Sequence, residues 1–219
     1  MPYGEKSKEQ LIEYSKKAFD FFCEKNVKAV VMACNTTSAT VYDILKDDYD
    51  FKLYPIIQSV TEILAHLPIN KIGVFATEAT INSHAYSAGI NLVNPDMEVI
   101  EIACPEWVKI VEEHRENSSI LELKTKIDEM NLYTPDKIVL GCTHYPYLLG
   151  QLSKLINGDI FINPARSFVE FIKSDLDSLN LLTDLSGIGK EEFFVSASPS
   201  NFKLASEVFY NISSPVILL

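Results

Sequence analysis

The sequence predicts an α/β protein with doubly wound, mainly parallel sheets. Two stretches of the same build support this. AVVMACNTTSA (Ala29 to Ala39) and KIVLGCTHYPY (Lys137 to Tyr147) each run from a short β-branched apolar segment, through a small residue, to a cysteine and then to polar residues that open a helix. Strand-like and helix-like segments also alternate along the chain, an order that implies parallel pairing through right-handed crossovers. Open α/β sheets bind ligands at the carboxyl ends of their strands, so two such cysteines can face one another across a single cleft. At 219 residues the chain can bury one substantial core or two small ones, and the duplicated cassette favours two.

The elements follow in order. Ser7 with Gln10 forms a capping box, and Leu11, Tyr14, Ala18, Phe21 and Phe22 then repeat at helical spacing, which predicts a helix from Lys8 to Glu24. The first cysteine strand comes next, then a helix near Thr37 to Lys46 and a short strand at Leu53 to Ile57. A second series starts at Lys71: strand Ile72 to Ala76, helix Ile81 to Gly89, strand Glu98 to Ile102, helices at Trp107 to His114 and Ile120 to Met130, and strand Ile138 to Leu140. Pro146 suits the first turn of the following helix, where its missing N–H would have been unpaired anyway. Strand Asp159 to Ile162 and helix Arg166 to Leu176 close this series, and Ser178 to Lys190 reads as a loop with turn residues Asp184, Gly187 and Gly189. A last strand, Phe193 to Ala197, and helix, Pro199 to Tyr210, are expected to return to the first domain. The domains expected are therefore 1–68 plus 179–219, and 69–178. Met1-Pro2-Tyr3-Gly4 leads straight into a helix and leaves the first domain about three strands, where doubly wound sheets usually carry about five or six. An amino-terminal strand and helix are therefore expected to be missing.

Composition narrows the partners. A hydrophobic content of 47% excludes a disordered chain, and 30 acidic against 19 basic residues give a net charge of −11. That charge opposes nucleic acid and anionic membrane surfaces and leaves small polar ligands as the expected partners. Apolar runs such as Ala29 to Cys34 are too short to cross a bilayer and no leader pattern opens the chain, so a cytoplasmic protein is expected. Four cysteines without tight spacing, Cys23, Cys34, Cys104 and Cys142, read as reduced thiols. Of these, Cys23 and Cys104 read as packing residues. His66, His84 and His114 read as satisfied or solvated helical side chains. No metal is expected, because Cys142 and His144 fall short of the three or four ligands zinc needs. Gly187-Ile188-Gly189-Lys190 fails as a phosphate loop, with Asp184 where a glycine is required and Glu191 after the lysine.

A thiol, with an ordinary pKa near about 8.5, becomes a base at neutral pH when a helix amino terminus or other N–H groups stabilise the thiolate. Cys34 and Cys142 each precede a helix start. The residues after them, Asn35, Thr36, Thr37, Thr143 and His144, are poor choices for a hydrophobic strand but supply donors for a ligand carboxylate. A thiolate and a thiol on opposite faces of a carbon acid can remove a proton from one side and return one from the other, inverting the carbon without a cofactor. The pair titrates jointly. Basic side chains are scarce near both cassettes, so helix termini and N–H groups must attract any anionic ligand. A cysteine hydrolase using Cys142 with His144 is the rival enzyme reading, and it has no use for Cys34.

Ala33-Cys34-Asn35-Thr36 and Gly141-Cys142-Thr143-His144-Tyr145-Pro146 resemble the glutamate racemase family, and the resemblance runs essentially the whole length. It implies two pseudo-symmetric doubly wound domains with the site between them, and cofactor-independent interconversion of L- and D-glutamate for peptidoglycan. Cys34 would deprotonate D-glutamate and Cys142 would deprotonate L-glutamate, with His144 assisting Cys142. Pro2-Tyr3-Gly4 resembles the family's substrate-contacting segment, which makes Tyr3 and Gly4 ligand contacts. Asn35, Thr36, Thr143 and His144 match further substrate contacts, and Ile72 to Thr77 with Thr80, and Cys104-Pro105 followed by Glu112, also match family patterns. The expected substrate-binding set is therefore Tyr3, Gly4, Asn35, Thr36, Thr77, Glu112, Thr143 and His144. Glutamate is the implied partner, with a homodimer left open.

Two departures accompany the resemblance. The family's opening Asp-Ser-Gly strand has no counterpart, and about 35 to 40 residues are expected to be absent by comparison. Gln58-Ser59-Val60-Thr61 replaces a Gly-Val-Ile-like run near the crossover between domains. The alternatives left open are an aspartate or other amino-acid racemase, and an inactive truncated form that binds ligand without turnover. The His-Tyr-Pro after Cys142 favours glutamate.

Overall fold

A computed structural model describes residues 3–183, 189–207 and 209–219. Asp184, Gly187 and Ile188 of the expected loop lie outside these residues, as do Met1 and Pro2. The chain forms two compact units that meet in sequence at Leu181 and Leu182.

The first unit begins with a 3-10 turn at Tyr3–Glu5 and helix α1, Lys8–Glu24, with the Ser7–Gln10 capping box in place. Strand β1, Ala29–Met32, helix α2, Asn35–Leu45, strand β2, Lys52–Pro55, and helix α3, Ile56–Ala65, follow. β1 and β2 pair in parallel, with Ala29 opposite Lys52 and Met32 opposite Pro55. Next come strand β3, Lys71–Ala76, helices α4, Glu78–Ser83, and α5, Ala85–Val93, strand β4, Glu98–Ala103, helices α6, Glu106–Glu112, and α7, Ile120–Asn131, and strand β5, Lys137–Gly141. A 3-10 turn at Tyr145–Leu148, helix α8, Leu149–Leu152, strand β6, Phe161–Ile162, and helix α9, Ala165–Ser178, complete the unit. The second sheet is wholly parallel in the order β4-β3-β5-β6. Its central strands are buried on both faces through Ile72, Val74, Phe75, Ile138, Val139 and Leu140, which explains their unbroken apolar runs. On one face Trp107 packs between Phe75 and Tyr145, with ring centroids 4.9 and 5.1 Å away.

Several elements depart from the expectations. The strand expected at Leu53 to Ile57 stops at Pro55, because Ile56 and Ile57 already belong to α3. The start of that helix has no side-chain cap on Pro55. It is held from α2 instead: Ile57 N donates to Ser38 Oγ (3.1 Å), Ser38 Oγ donates to Gln58 Oε1 (2.7 Å) and Gln58 Nε2 donates to Ser38 O (3.1 Å). Gln58, one of the departures from the family pattern, thus straps two helices together. The single helix expected at Ile81 to Gly89 is two helices, broken at His84, which sits in the left-handed region at φ 54°. His114 is likewise left-handed, at φ 52°, and lies beyond α6 rather than in a helix. The strand expected from Asp159 shrinks to Phe161–Ile162, because Asn157 caps a 3-10 turn over Gly158–Ile160. Cys23 is exposed near the end of α1 rather than packed, whereas Cys104 is buried.

The second unit contains strand β7, Phe193–Val195, helix α10, Pro199–Ser206, and strand β8, Val216–Leu218, which pairs in parallel with β7. The strand therefore ends two residues before Ala197, and the helix ends four before Tyr210. Tyr210 folds back, its hydroxyl donating to Glu191 Oε1 at 2.7 Å. Among the described residues no helix is long and apolar enough to cross a membrane.

Candidate active site

Both cysteine segments end at the same place in the first unit. The chain leaves β1 and reaches Cys34, the extended N-cap residue of the 11-residue α2. Asn35, Thr36 and Thr37 form the first turn and are buried despite their polarity, so each needs a partner. Thr37 Oγ1 donates to Cys34 O at 3.0 Å. Thr36 Oγ1 lies 2.9 Å from Thr77 Oγ1, which lies 3.0 Å from Thr80 Oγ1. Thr77 is the N-cap of α4, just past the end of β3, so this hydroxyl chain joins the ends of two sheets. Tyr86 Oη donates to Asn35 Oδ1 at 2.7 Å.

Cys142 follows β5, and its carbonyl accepts from Tyr145 N at 3.1 Å, closing a tight turn. Tyr145 is fully buried and donates through its hydroxyl to Cys104 O at 2.7 Å, which ties the turn to the end of β4. His144 Nε2 lies 3.2 Å from Glu112 Oε1, at the last turn of α6. A carboxylate only accepts, so Nε2 is the donor of this pair, and in the tautomer whose single proton sits there Nδ1 is the acceptor. Nδ1 faces Cys142 Sγ at 3.8 Å and Thr143 Oγ1 at 3.4 Å. The arrangement sets a cysteine sulfur beside an imidazole that a carboxylate orients.

The amino-terminal turn closes a third side. A Cβ on Gly4 would lie 3.0 Å from Thr77 Cβ, so glycine permits this close approach. Glu5 holds the turn through Lys109 Nζ at 3.0 Å.

Between these walls lies a cavity of about 330 Å³, lined by Tyr3, Gly4, Cys34, Asn35, Thr36, Thr77, Val108, Glu112, Cys142, Thr143 and His144. A second hollow of about 300 Å³ shares Asn35, Cys142 and Thr143 with it and continues to Ile56, Asn163 and Pro164. Among the described residues no lysine or arginine lines the first cavity, so an anionic ligand there is held by N–H groups, hydroxyls and the α2 amino terminus.

The sequence profile of the Asp/Glu/Hydantoin racemase family matches residues 3–172. The chain belongs to this racemase family. It is 38% identical over 213 residues to glutamate racemase 2 of Caldanaerobacter subterraneus, covering 95% of this chain and 79% of that one. It is 36% identical over 212 residues to the glutamate racemase of Thermoanaerobacter sp., with the same two coverages. Among solved structures, the glutamate racemase of Francisella tularensis, determined with D-glutamate, superposes with a TM-score of 0.90 at 28% identity, covering all of this chain and 83% of that one.

The racemase-family chain thus gathers every residue expected for catalysis or substrate binding around one cavity. Thr80 stands behind Thr77 and does not line it. Sequence reasoning missed Val108, whose signal is its spacing: it lies four residues before Glu112, on the same face of α6. It also missed Tyr86, which no local pattern marks.

The electrostatics of Cys142 oppose the expectation of a ready thiolate. Burial pushes its thiol up to about 12 and the charge of Cys34 adds to the rise. The N–H groups of His144 and Tyr145 and the Thr143 hydroxyl pull it down without prevailing. Cys142 therefore rests as the thiol, ready to give a proton.

The folded-state pKa of Cys142 lies above the ordinary thiol value of about 8.5 to 9, so its contribution is fully present below that range and is lost as pH rises towards about 12. Burial also raises Cys104, Tyr86 and Tyr145, which act in the same direction. Thermal melts between about pH 8 and about pH 11 should show Tm falling steadily above about pH 9, with a shallower fall in Cys142→Ala. A Tm that stays level over that range would contradict a buried, protonated thiol.

Proposed function

We propose that this protein is an amino-acid racemase that interconverts L- and D-glutamate, with Cys34 and Cys142 exchanging protons at Cα. The observation that carries this reading is that both cysteine-bearing segments line one cavity of amino-acid size, with hydroxyl and amide donors between them. The glutamate racemases among its relatives support the same reading.

In the direction that uses Cys34 as base, its thiolate takes the α-proton and forms an S–H bond as the Cα–H bond breaks. The freed electron pair is delocalised into the α-carboxylate, whose growing charge is met by donors from Asn35, Thr36 and Thr143. Cys142 delivers its S–H proton to the opposite face, and a new Cα–H bond forms with inverted geometry. The roles reverse in the other direction, where Cys142 must be ionised and His144 Nδ1 is placed to receive its proton. After each turnover the thiol and thiolate have exchanged places, and proton exchange with solvent resets them. No cofactor enters this scheme.

D-glutamate made in this way serves peptidoglycan, and the reading includes a cytoplasmic protein able to form a homodimer. The two parallel sheets of the first unit, β1-β2 and β4-β3-β5-β6, support a domain boundary near residues 68 and 69.

Turnover in D2O tests the reaction. Both glutamate enantiomers should gain deuterium at Cα, and in H2O kcat/KM should be equal in the two directions because enantiomers have equal free energy. Exchange into aspartate but not glutamate would overturn the substrate assignment. An acyl-enzyme burst without exchange would overturn the reaction in favour of hydrolysis.

A further inference from the structure

Tyr86 touches both cysteine cassettes although it belongs to neither. It is fully buried on α5. Its hydroxyl donates to Asn35 Oδ1 at 2.7 Å, one residue after Cys34. Its ring lies where a Cβ on Gly141, one residue before Cys142, would come within 3.1 Å of Cε2. Gly141 is thus the residue that lets the ring rest on the end of β5, since a side chain there would also meet Phe75 O at 3.0 Å. Burial, and after it the charge of Cys142, drives the phenol's ionisation far upward, so the hydroxyl remains a donor across the working pH range.

A fixed donor at Oδ1 decides the orientation of the Asn35 amide. With its carbonyl oxygen held by Tyr86, the NH2 group must point the other way. No described residue accepts a hydrogen bond from Asn35 Nδ2, yet the one buried side-chain polar atom without a partner among the described residues is Trp107 Nε1. Asn35 Nδ2 is therefore not enclosed, and the open space beside Asn35 is the pair of hollows it lines, which also share Cys142 and Thr143.

We propose that Tyr86 is a positioning residue of the racemase site: its hydroxyl holds the Asn35 amide with the NH2 group presented to a substrate carboxylate, while its ring on Gly141 fixes the strand end that carries Cys142. The inference rests on the proposed function and goes beyond it by giving a role to a residue that never meets the substrate.

The test is a double-mutant cycle with Tyr86→Phe, Asn35→Ala and the two combined, read by calorimetric binding of D-glutamate and by kinetics. Tyr86→Phe keeps the ring against Gly141 and removes the hydroxyl alone. Each single change should raise Kd and KM about tenfold, the scale of one hydrogen bond to a charged group, with kcat changed less. The double variant should lose about the same tenfold, because Tyr86 acts through Asn35. A merely structural role would lower Tm and give losses that multiply in the double variant. An unchanged Kd in Tyr86→Phe, or multiplying losses, overturns the inference.

If Tyr86→Phe does not melt cooperatively, fluorotyrosine at position 86 replaces it in the comparison. This side chain keeps the ring and is a stronger donor, so Kd should fall about twofold through the polarised amide. An unaltered Kd there overturns the inference as well. A parent protein that neither binds nor racemises glutamate overturns the proposed function together with the inference. A parent that does both while Tyr86→Phe matches it overturns the inference alone.

Discussion

Cys34→Ser and Cys142→Ser are each expected to slow racemisation of both glutamate enantiomers by about ten-thousandfold, the upper range for loss of a positioned acid or base. A hydroxyl is far less acidic than a thiol, so it neither takes the α-proton nor releases one readily at neutral pH. Both directions fail together, because every inversion uses both positions. Folding should survive, since Cys34 is only partly buried and serine at 142 meets the same N–H groups and the Thr143 hydroxyl that surround the sulfur. The two variants should differ in what they retain. Each keeps one thiol, which can still remove the proton from the enantiomer whose Cα–H faces it and return solvent deuterium to the same face. Proton NMR in D2O should therefore show slow exchange into one enantiomer without inversion, and into the other enantiomer for the second variant. Undiminished two-way turnover in either variant would remove the two-base mechanism.

His144→Ala is expected to lower kcat by about a hundredfold while KM changes little. Burial pushes Cys142 up to about 12, so at neutral pH its thiolate is rare unless a neighbour accepts the proton as it leaves. His144 Nδ1, 3.8 Å from the sulfur, is the neighbour so placed. Glu112 holds the ring in this tautomer through Nε2 at 3.2 Å, and its side chain is 48% exposed, so Glu112→Gln should cost only about tenfold. Added imidazole should restore part of the kcat of His144→Ala, because the loss is of a proton acceptor rather than of the fold. Full activity in His144→Ala would show that Cys142 ionises unaided.

The site was legible from sequence because its chemistry is local. Cys34-Asn35-Thr36 and Cys142-Thr143-His144 are short runs in which polar residues interrupt apolar strands, and the fold brings both to one cavity. The long capped helix α1 was legible for a similar reason, since Ser7, Gln10 and the apolar spacing all agree. What sequence reasoning missed depends on contacts distant along the chain. The start of α3 depends on Ser38 and Gln58 rather than on a cap at Pro55, so no local signal marks it. The break at His84 is a backbone conformation that histidine adopts under tertiary constraint, here with Nδ1 2.9 Å from the nearly buried carboxylate of Glu101. The raised thiol of Cys142 follows from burial, and a helix-start pattern alone points the opposite way.

That no lysine or arginine among the described residues lines the cavity also bears on how a ligand arrives. Attraction built from amide and hydroxyl groups acts only at contact, whereas the net charge of −11 is felt at a distance. A glutamate anion approaching from solution thus meets repulsion first and attraction last. Dissolved salt shortens the reach of that repulsion to about 8 Å at physiological ionic strength. Encounter should accordingly quicken as ionic strength rises, opposite in sign to enzymes that steer anions with a ring of basic side chains.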